Sequence, residues 1–365
     1  MSVSSHQVGL LTLLAAPLVL LAGSCRDSAP AESEAKSNTM DSNTTRLPAT
    51  IQLPGGEGGI GLDDLRYSAS LRRVLAPAGR TGSLDLVDPA TGAITTIDGF
   101  GATGSYAGGH GDGTTSVDEG AGFLFAIDRT AKKVDVVDPA KRSIVSGATL
   151  AADPDYVRYV AATNELWVTE PDAEQIEIFR LAAGTPPTPE HAAVIAIQGG
   201  PESLVVDTKR GRAYTHLWEG TTLSIDVRLR SLVARWPNGC SGSRGIALDE
   251  DRGFLFVGCA EGRAVVLDVD HDGKELSTAA TGAGVDIIDY DARRGHLYFP
   301  AAKSATLTIL GVSAKGELSV LGTFPAAKGS HCATTDGNGH VFVGDPQTGR
   351  LLVVPDTLPA GARGG

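Results

Sequence analysis

The chain has 365 residues, of which 42% are hydrophobic, 20% charged and 5% aromatic, an ordinary balance for a packed soluble domain. Its formal net charge of −12 argues against nucleic acid as a partner, because binding a phosphate backbone requires a basic surface. No stretch after residue 25 is apolar enough to span a bilayer.

The first 25 residues have the features of an export signal. Val8–Leu21 is an apolar run of 14 residues, the length of a signal peptide and short for a transmembrane helix. It leads into Leu20-Leu-Ala-Gly-Ser-Cys25, whose small residues before a cysteine resemble a bacterial lipobox. The resemblance implies that Cys25 is lipidated and becomes the mature N-terminus. A cleaved secretory signal and an uncleaved anchor are the alternatives, and all three predict export.

The segment that follows is predicted to be a flexible tether. Residues 25–45 contain almost no large apolar side chain, so they cannot bury enough surface to fold. The predicted organisation is a lipoprotein signal peptide at 1–24, the tether at 25–45, a folded domain at 46–356 and a disordered tail at 357–365. The expected location is the cell envelope, on the periplasmic or cell-surface side, with membrane contact through the lipid alone.

The folded domain repeats a short apolar run, an Asp-led turn ending near Gly, and an aromatic-centred run. The plainest copies are Gly245–Val257, Ile287–Phe299 and Cys332–Val343. The turn-opening positions are spaced 42 to 50 residues apart, at Ser68, Asp118, Val160, Asp207, Asp249, Asp291 and Asp336. Such a period with strand chemistry predicts an all-β fold, a β-propeller with one four-stranded antiparallel blade per repeat. Seven repeats predict a seven-bladed β-propeller.

The last repeat is incomplete. After Arg350–Pro355 no fourth strand follows, whereas Leu47–Leu53 precedes the first repeat and has the pattern of a fourth strand. We therefore predict that this N-terminal strand closes the last blade and covers its open edge.

The aromatic-centred strands carry a resemblance to a known family. They occur as Leu166-Trp-Val-Thr169, Leu255-Phe-Val-Gly258, Leu297-Tyr-Phe-Pro300 and Val341-Phe-Val-Gly344. Over about residues 45–356 the chain resembles the YVTN-type seven-bladed β-propellers of exported bacterial proteins. The resemblance implies a repeat scaffold, and a scaffold of this kind does not name a function.

A propeller places the residues that open its innermost strands around the mouth of the central channel. Five positions before each turn-opening residue stand Asp63, Gly113, Asp155, Glu202, Arg244, Asp286 and His331, with His110 and Asp112 just before Gly113. Such a ring is suited to a cationic ligand, to a divalent cation such as calcium, or to acid/base chemistry. The candidate metal ligands are Asp155, Glu202, Asp286 and His331. The alternative is a solvated funnel whose polar residues cap loops.

Two further segments offer chemistry. Gly99–Gly113 holds seven glycines and is predicted to be a mobile loop at the channel mouth or a passive connector. Its Gly99-Phe-Gly-Ala-Thr-Gly104 matches a dinucleotide fingerprint only on paper, because no helix is predicted after it. Asp268–Gly273 has the spacing of a calcium loop, but the twelfth position is Ala279 rather than Glu. A plain Asp/Gly turn is predicted there, with calcium as the alternative.

The cysteines fit an exported protein. If the repeat pairs as a hairpin across Asp249, Ser243 lies opposite Cys259 and Cys240 comes within reach of it. A Cys240–Cys259 disulfide is therefore predicted, with two free thiols as the alternative. Cys332 is expected to be a buried thiol, because adjacent strand residues face opposite sides and His331 then faces away from it.

The predicted function is binding of a ligand or a protein partner at the channel mouth by an exported, lipid-anchored monomer. The alternative is a metal-assisted lyase or hydrolase, of the kind that lactonases represent, using the same ring of carboxylates and His. The same ring of residues is compatible with a binding protein and with an enzyme.

Overall fold

The computed structural model describes residues 49–360. The predicted signal peptide, Cys25 and the tether lie outside the described residues, as does the end of the predicted tail. Within 49–360 the chain forms 28 strands and two short 3-10 helices, η1 (Pro171–Ala173) and η2 (Val269–His271). No helix in this part of the chain is long and apolar enough to cross a membrane.

The strands follow one another with short connections. They are β1 (Ala49–Gln52), β2 (Arg66–Ser68), β3 (Arg73–Pro77), β4 (Ser83–Val87), β5 (Ile94–Asp98), β6 (Thr114–Gly120), β7 (Phe123–Asp128), β8 (Lys133–Asp138), β9 (Ser143–Thr149), β10 (Val157–Val160), β11 (Glu165–Glu170), β12 (Gln175–Ala182), β13 (Thr188–Ala196), β14 (Glu202–Asp207), β15 (Arg212–Leu217), β16 (Thr221–Asp226), β17 (Ser231–Pro237), β18 (Ser243–Asp249), β19 (Phe254–Cys259), β20 (Arg263–Asp268), β21 (Lys274–Ala280), β22 (Asp289–Asp291), β23 (His296–Ala301), β24 (Thr306–Val312), β25 (Leu318–Pro325), β26 (Ala333–Thr335), β27 (His340–Asp345) and β28 (Arg350–Pro355).

These strands form seven four-stranded antiparallel sheets, which confirms the predicted seven-bladed β-propeller. Six blades are consecutive meanders, from β2–β5 through β22–β25, and the seventh has the order β1-β28-β27-β26. The innermost strands β2, β6, β10, β14, β18, β22 and β26 contact their neighbours in that order, and β26 contacts β2, so the ring is closed.

The predicted closure of the last blade is confirmed. β1 pairs antiparallel with β28, with Ala49 opposite Val353 and Gln52 opposite Arg350. The N-terminal strand therefore satisfies the outer edge of the blade that the C-terminal strands leave incomplete, and no additional strand is needed to cover that edge.

The core lies between the faces of adjacent blades. The second strands, such as β11, β19 and β23, are buried along their whole length, whereas outer strands such as β17 are half exposed. Between the fifth and sixth blades, Phe254 and Phe256 pack with Leu297 and Phe299. Each such side chain stabilises the fold by about 1.5–3 kcal/mol through burial, which explains why the aromatic-centred run is the plainest part of every repeat.

One turn differs from the prediction. Asp118 was expected to open the first turn of the second blade, and this expectation is wrong. β6 continues past it, and the hairpin turns at Ala121 and Gly122, whose φ values of 50° and 82° suit a two-residue turn. Asp118 instead accepts a hydrogen bond from the backbone of Tyr159 at 2.8 Å and pairs with Arg66 at 3.2 Å.

The start of the predicted tail contacts the sixth blade. The Nε2 atom of His296 donates to the carbonyl oxygen of Pro359 at 2.9 Å, and its Nδ1 lies 2.6 Å from an oxygen of Asp356. Leu358 packs against the hydrophobic cluster shared by the last two blades. Leu358 and Pro359, predicted from sequence as part of a disordered tail, therefore have defined partners.

Candidate functional site

The predicted ring residues lie where the innermost strands begin. Glu202 is the first residue of β14, and Arg244 is the second residue of β18. Asp155 precedes β10 by two positions, Asp286 precedes β22 by three, and His331 precedes β26 by two. Asp63 precedes the bridge that Asp64 makes with Ser116 beside the second blade. Because a propeller carries equal positions of its repeats to equal heights, these side chains come together at one end of the channel, which we call the channel mouth.

Four of them form a tight cluster, named here the Asp/His group. Asp63, His110, Asp286 and His331 each offer one ligand atom, and these four atoms lie within 4.8 Å of one another. The Nδ1 atom of His110 is 3.0 Å from an oxygen of Asp63, and the rings of the two histidines have centroids 5.4 Å apart. His331 directs its Nδ1 to the carbonyl oxygen of Gly329 at 2.7 Å.

Several buried polar atoms of the group lack hydrogen-bond partners. Nε2 of His331, Oδ1 of Asp286 and Oδ1 of Asp63 are inaccessible to solvent and unpartnered, while Nδ1 of His110 and Oδ2 of Asp63 face each other at 3.0 Å. Because the carbonyl of Gly329 accepts a hydrogen bond from Nδ1–H, Nε2 is the acceptor nitrogen of the His331 ring in its neutral form. Buried polar atoms without partners are rare in folded proteins and call for an explanation at each site.

Asp155 is separated from this group by an arginine that the sequence analysis missed. Arg129 contacts the carboxylate of Asp155, lies 3.8 Å from Asp63, and donates its Nε to Thr115 at 2.9 Å. Gly113, the one ring position without a side chain, accepts the backbone hydrogen bond of Arg129. Asp155 is therefore paired with Arg129 and is not one of the four donors of the Asp/His group, and its role as a metal ligand stays a prediction.

Glu202 is held apart in a second pairing. The indole Nε1 of Trp218 donates to its carboxylate, and Nε of Arg244 lies 3.8 Å from the other oxygen. The guanidinium of Arg244 is 4.3 Å from the centre of the Trp218 ring, whose side chain is 48% exposed. Glu202 also lies outside the Asp/His group, and its role as a metal ligand stays a prediction.

Arg129 and Trp218 share a signal that was present in the sequence. Each is the first residue after the second strand of its blade, β7 and β15. That position lies one or two residues beyond the partner of the strand-opening residue, which is Asp128 opposite Thr114 and His216 opposite Glu202. Ala260 and Ala302 occupy the same position in the fifth and sixth blades and line the cavity at the mouth. The residues around the mouth therefore come from two positions of the repeat, the start of the innermost strand and the residue after the second strand.

The glycine-rich segment covers part of the mouth. Tyr106, Gly108, Gly109 and His110 line a cavity of about 430 Å³, together with Arg244, Lys303, Asp286 and His331. The segment leads into β6 and not into a helix, so the dinucleotide fingerprint lacks the helix it requires. Asp112 is exposed and accepts only from Thr103 at 3.3 Å, which leaves this predicted ligand outside the cluster.

Burial and charge shift the acid strengths at the mouth in opposite directions. The neighbouring Asp63 carboxylate raises the pKa of His110 to about 9. Burial pushes the pKa of Asp63 upward, but His110, Arg129 and His331 together outweigh it, so the pKa lies below its ordinary value. These two groups form an ion pair that holds the glycine-rich segment against the first blade.

The remaining carboxyl groups are poorly compensated. Burial, reinforced by Asp155 and Asp286, raises the pKa of Glu202 to about 9 despite its contact with Arg244. Burial also raises the pKa of Asp155 to about 6, even beside Arg129. Burial and then the charge of Asp63 raise the pKa of Asp286. The mouth therefore holds carboxyl groups whose charged forms are costly unless a cation approaches.

The calcium-like segment Asp268–Gly273 is occupied by its own neighbours. The Asp268 side chain accepts from the backbone of Asp270 at 3.0 Å and contacts His271 at 2.8 Å. Both oxygens of Asp270 accept from Arg210 at 2.7 Å. The segment forms η2 and the turn between β20 and β21, which is the plain-turn interpretation.

The cysteines near the mouth are joined. Cys240 and Cys259 form a disulfide with their Cα atoms 5.3 Å apart, and Ser243 lies opposite Cys259 in the hairpin. Cys332 is a free, fully buried thiol that packs with Leu62 and Phe342 in a hydrophobic cluster, and burial raises its pKa well above the ordinary value.

Comparison with known proteins gives the fold. No protein-family model and no curated protein matches the chain. A chain in a crystal structure of the mitotic checkpoint complex is similar with a TM-score of 0.70 and 12% identity, over 92% of this chain and 98% of that one. Hydrazine synthase from Kuenenia stuttgartiensis (TM-score 0.67, 11% identity, 87% and 99% covered) and the Cps50 (Swd1) β-propeller domain of Myceliophteria thermophila (0.66, 12%, 85% and 99%) are also similar. At these identities the likeness concerns the propeller alone.

Proposed function

We propose that this protein is an exported, lipid-anchored β-propeller that binds a positively charged ligand, free or carried on a protein partner, at the channel mouth. The supporting observation is the charge imbalance there. Four buried or half-buried carboxyl groups face the mouth, from Asp63, Asp155, Glu202 and Asp286. Arg129 and Arg244 contact them, and His110, whose pKa is raised to about 9, pairs with Asp63, so four carboxyl groups face three cationic groups.

The consequence is electrostatic. The raised pKa of Glu202, about 9, means that this carboxyl group gives up its proton only at a free-energy cost. A ligand cation placed beside it would restore the charged form and gain the interaction energy that the fold leaves unused. The exposed face of Trp218 at the rim supplies an aromatic surface that suits an organic cation.

Thermal-shift measurements with organic amines test this proposal. The wild-type protein should melt at a higher temperature with a binding amine, whereas Glu202→Gln should lose most of the shift while keeping its hydrogen bond from Trp218. Asp112→Asn is the matched control, because it removes an exposed carboxylate outside the cluster. No shift with any amine, or equal shifts in all three proteins, would contradict the proposal.

The export and anchoring part of the proposal stands on two features. The sequence Leu20–Cys25 has the pattern of a lipobox, and the Cys240–Cys259 disulfide is typical of proteins in oxidising compartments. Cys25→Ala should change a membrane-associated protein into one that fractionates with soluble or unprocessed material, since a two-chain lipid anchor gives stable attachment. Unchanged membrane fractionation of the variant would show that Cys25 is not the anchor.

A second candidate function is a metal-assisted lyase or hydrolase. It is favoured by His110, Asp286 and His331 of the Asp/His group lining one cavity, in which burial raises the pKa of Asp286. Such chemistry needs an ion that polarises the substrate and a group that moves a proton. Turnover of lactone or ester substrates that is lost in Asp286→Asn and retained in Asp112→Asn would support this candidate over simple binding.

A further inference from the structure

We propose that Asp63, His110, Asp286 and His331 form a binding site for one divalent transition-metal ion of the zinc class. The inference rests on the proposed function in one respect, since both require the channel mouth to attract cations. It goes further by naming an inorganic ion and four ligands, two of which lie outside the metal set predicted from the sequence.

The donor atoms indicate the class of metal. The group offers two imidazole nitrogens and two carboxylate oxygens. Zinc and related ions favour four such ligands in a tetrahedral arrangement, whereas calcium takes six to eight oxygens and has no preference for nitrogen. The calcium predicted from the sequence is therefore replaced by an ion that accepts nitrogen ligands.

The spacing of the donors fits one ion. Bonds of about 2.0–2.2 Å place the ligand atoms of a zinc ion roughly 3–4 Å apart. The four atoms here lie within 4.8 Å of one another, and the contact between His110 and Asp63 is 3.0 Å. Binding one ion therefore requires the widest pair of donors to move closer by about 1 Å and the proton between His110 and Asp63 to leave.

The orientation of His331 is the most specific feature. Its Nδ1 donates to the carbonyl of Gly329 at 2.7 Å, which is the arrangement that fixes the tautomer of metal-binding histidines. Nε2 is then a bare, buried acceptor without a hydrogen-bond partner, and Oδ1 of Asp286 is a second one. While Asp286 is charged, these two acceptors cannot satisfy each other, but a cation between them satisfies both.

The ligands also come from separate parts of the ring. Asp63 precedes β2, His110 lies on the glycine-rich segment before β6, and Asp286 and His331 precede β22 and β26. These belong to the first, second, sixth and seventh blades, which are consecutive around the closed ring. An ion held here would join the first and last blades directly and fix the glycine-rich segment over the mouth.

Zinc titration of the purified, chelator-stripped protein tests the site. Calorimetry should show one Zn²⁺ per chain, and Co²⁺ should develop the visible absorption of a four-coordinate ion. His331→Gln and Asp286→Asn should each weaken Zn²⁺ binding by at least about 10- to 100-fold. His271→Gln is the matched control, because this exposed histidine contacts Asp268 and lies outside the group.

The outcomes separate this inference from the proposed function. Absence of stoichiometric Zn²⁺ binding, or equal binding by wild type, His331→Gln and Asp286→Asn, would overturn the metal site. If a variant fails to fold in chelator, His110→Gln supplies the same test from the half-exposed segment. Amine binding that is lost in Glu202→Gln while Zn²⁺ does not bind would leave the proposed function standing and remove only the metal.

Discussion

Two adjacent aspartates have different partners toward the two ends of the central channel. Asp63 and Asp64 are adjacent in sequence and both are buried. Asp64 accepts two hydrogen bonds from Arg158, at 2.6 and 3.1 Å, and one from Ser116 at 2.6 Å. Asp63 faces the mouth, where His110 is its close contact and Arg129 lies 3.8 Å away. The hydrogen-bonding capacity of Asp64 is used within the protein, whereas Asp63 can still accept a bond from a ligand.

The contrast extends along the inner strands. Toward the turn end of the channel, Asp289 accepts from the hydroxyl of Thr334 at 2.8 Å and from the backbone of Thr335 at 2.9 Å. At the mouth, Asp286 stands three residues earlier in the same blade and keeps an unpartnered oxygen. Partners supplied by the protein indicate a structural role, and missing partners at buried atoms indicate a site that something else completes.

The largest loss of stability is expected when the buried ion pair between Arg158 and Asp64 is broken. Arg158→Met leaves the Asp64 carboxylate buried without its counter-charge, and should lower the free energy of unfolding by about 3–5 kcal/mol. Arg66→Met is the control, because its pair with Asp118 is partly exposed and should cost about 1 kcal/mol or less. Urea denaturation measures both, and equal losses would mean that the buried pair has no special structural role.

A smaller loss is expected from the covalent tie at the mouth. Replacing Cys240 and Cys259 together by Ser removes a link between residues 19 positions apart and should lower stability by about 3 kcal/mol. Reduction of the wild-type protein should produce a similar decrease in guanidinium denaturation. A double variant as stable as the oxidised wild type would show that the fold positions the residues around Arg244 without the bond.

At the channel mouth, removing the ionisable carboxyl group of Glu202 should stabilise the protein. The pKa of Glu202 rises from 4.5 to about 9 on folding, so the folded state takes up a proton and its stability falls as pH rises between those values. Glu202→Gln lacks this cost and should be more stable than wild type at pH 8 by about 1 kcal/mol or more, since each unit of raised pKa corresponds to about 1.4 kcal/mol. The difference should shrink to nothing below about pH 4.5. Melting curves across pH that show a less stable variant at pH 8 would refute the uncompensated-charge interpretation.

The smallest effect is predicted for Asp112→Asn. This carboxylate is exposed and lies outside the Asp/His group, so the change in stability should stay within about 0.5 kcal/mol. Amine and Zn²⁺ binding should match wild type in the same titrations. A marked loss of binding would show that the site extends along the glycine-rich segment as far as Asp112.

The period of the sequence was sufficient for the architecture. The 42- to 50-residue spacing predicts seven blades, and the incomplete last repeat predicts β1 on β28, because each blade buries the same aromatic-centred second strand and each sheet edge must be covered. Equal positions in the repeats also placed Asp63, Glu202, Asp286 and His331 at one end of the channel before any coordinates were needed.

The partners of those residues were decided by the tertiary structure. Arg129 pairs with Asp155, and Trp218 and Arg244 contact Glu202. The Asp/His group therefore consists of Asp63, His110, Asp286 and His331. The repeat phase determines height and radius, but it does not determine which neighbouring side chain across a blade boundary neutralises a carboxylate. That choice depends on distances of a few ångströms between segments far apart in sequence, where Coulomb and desolvation energies compete at close range.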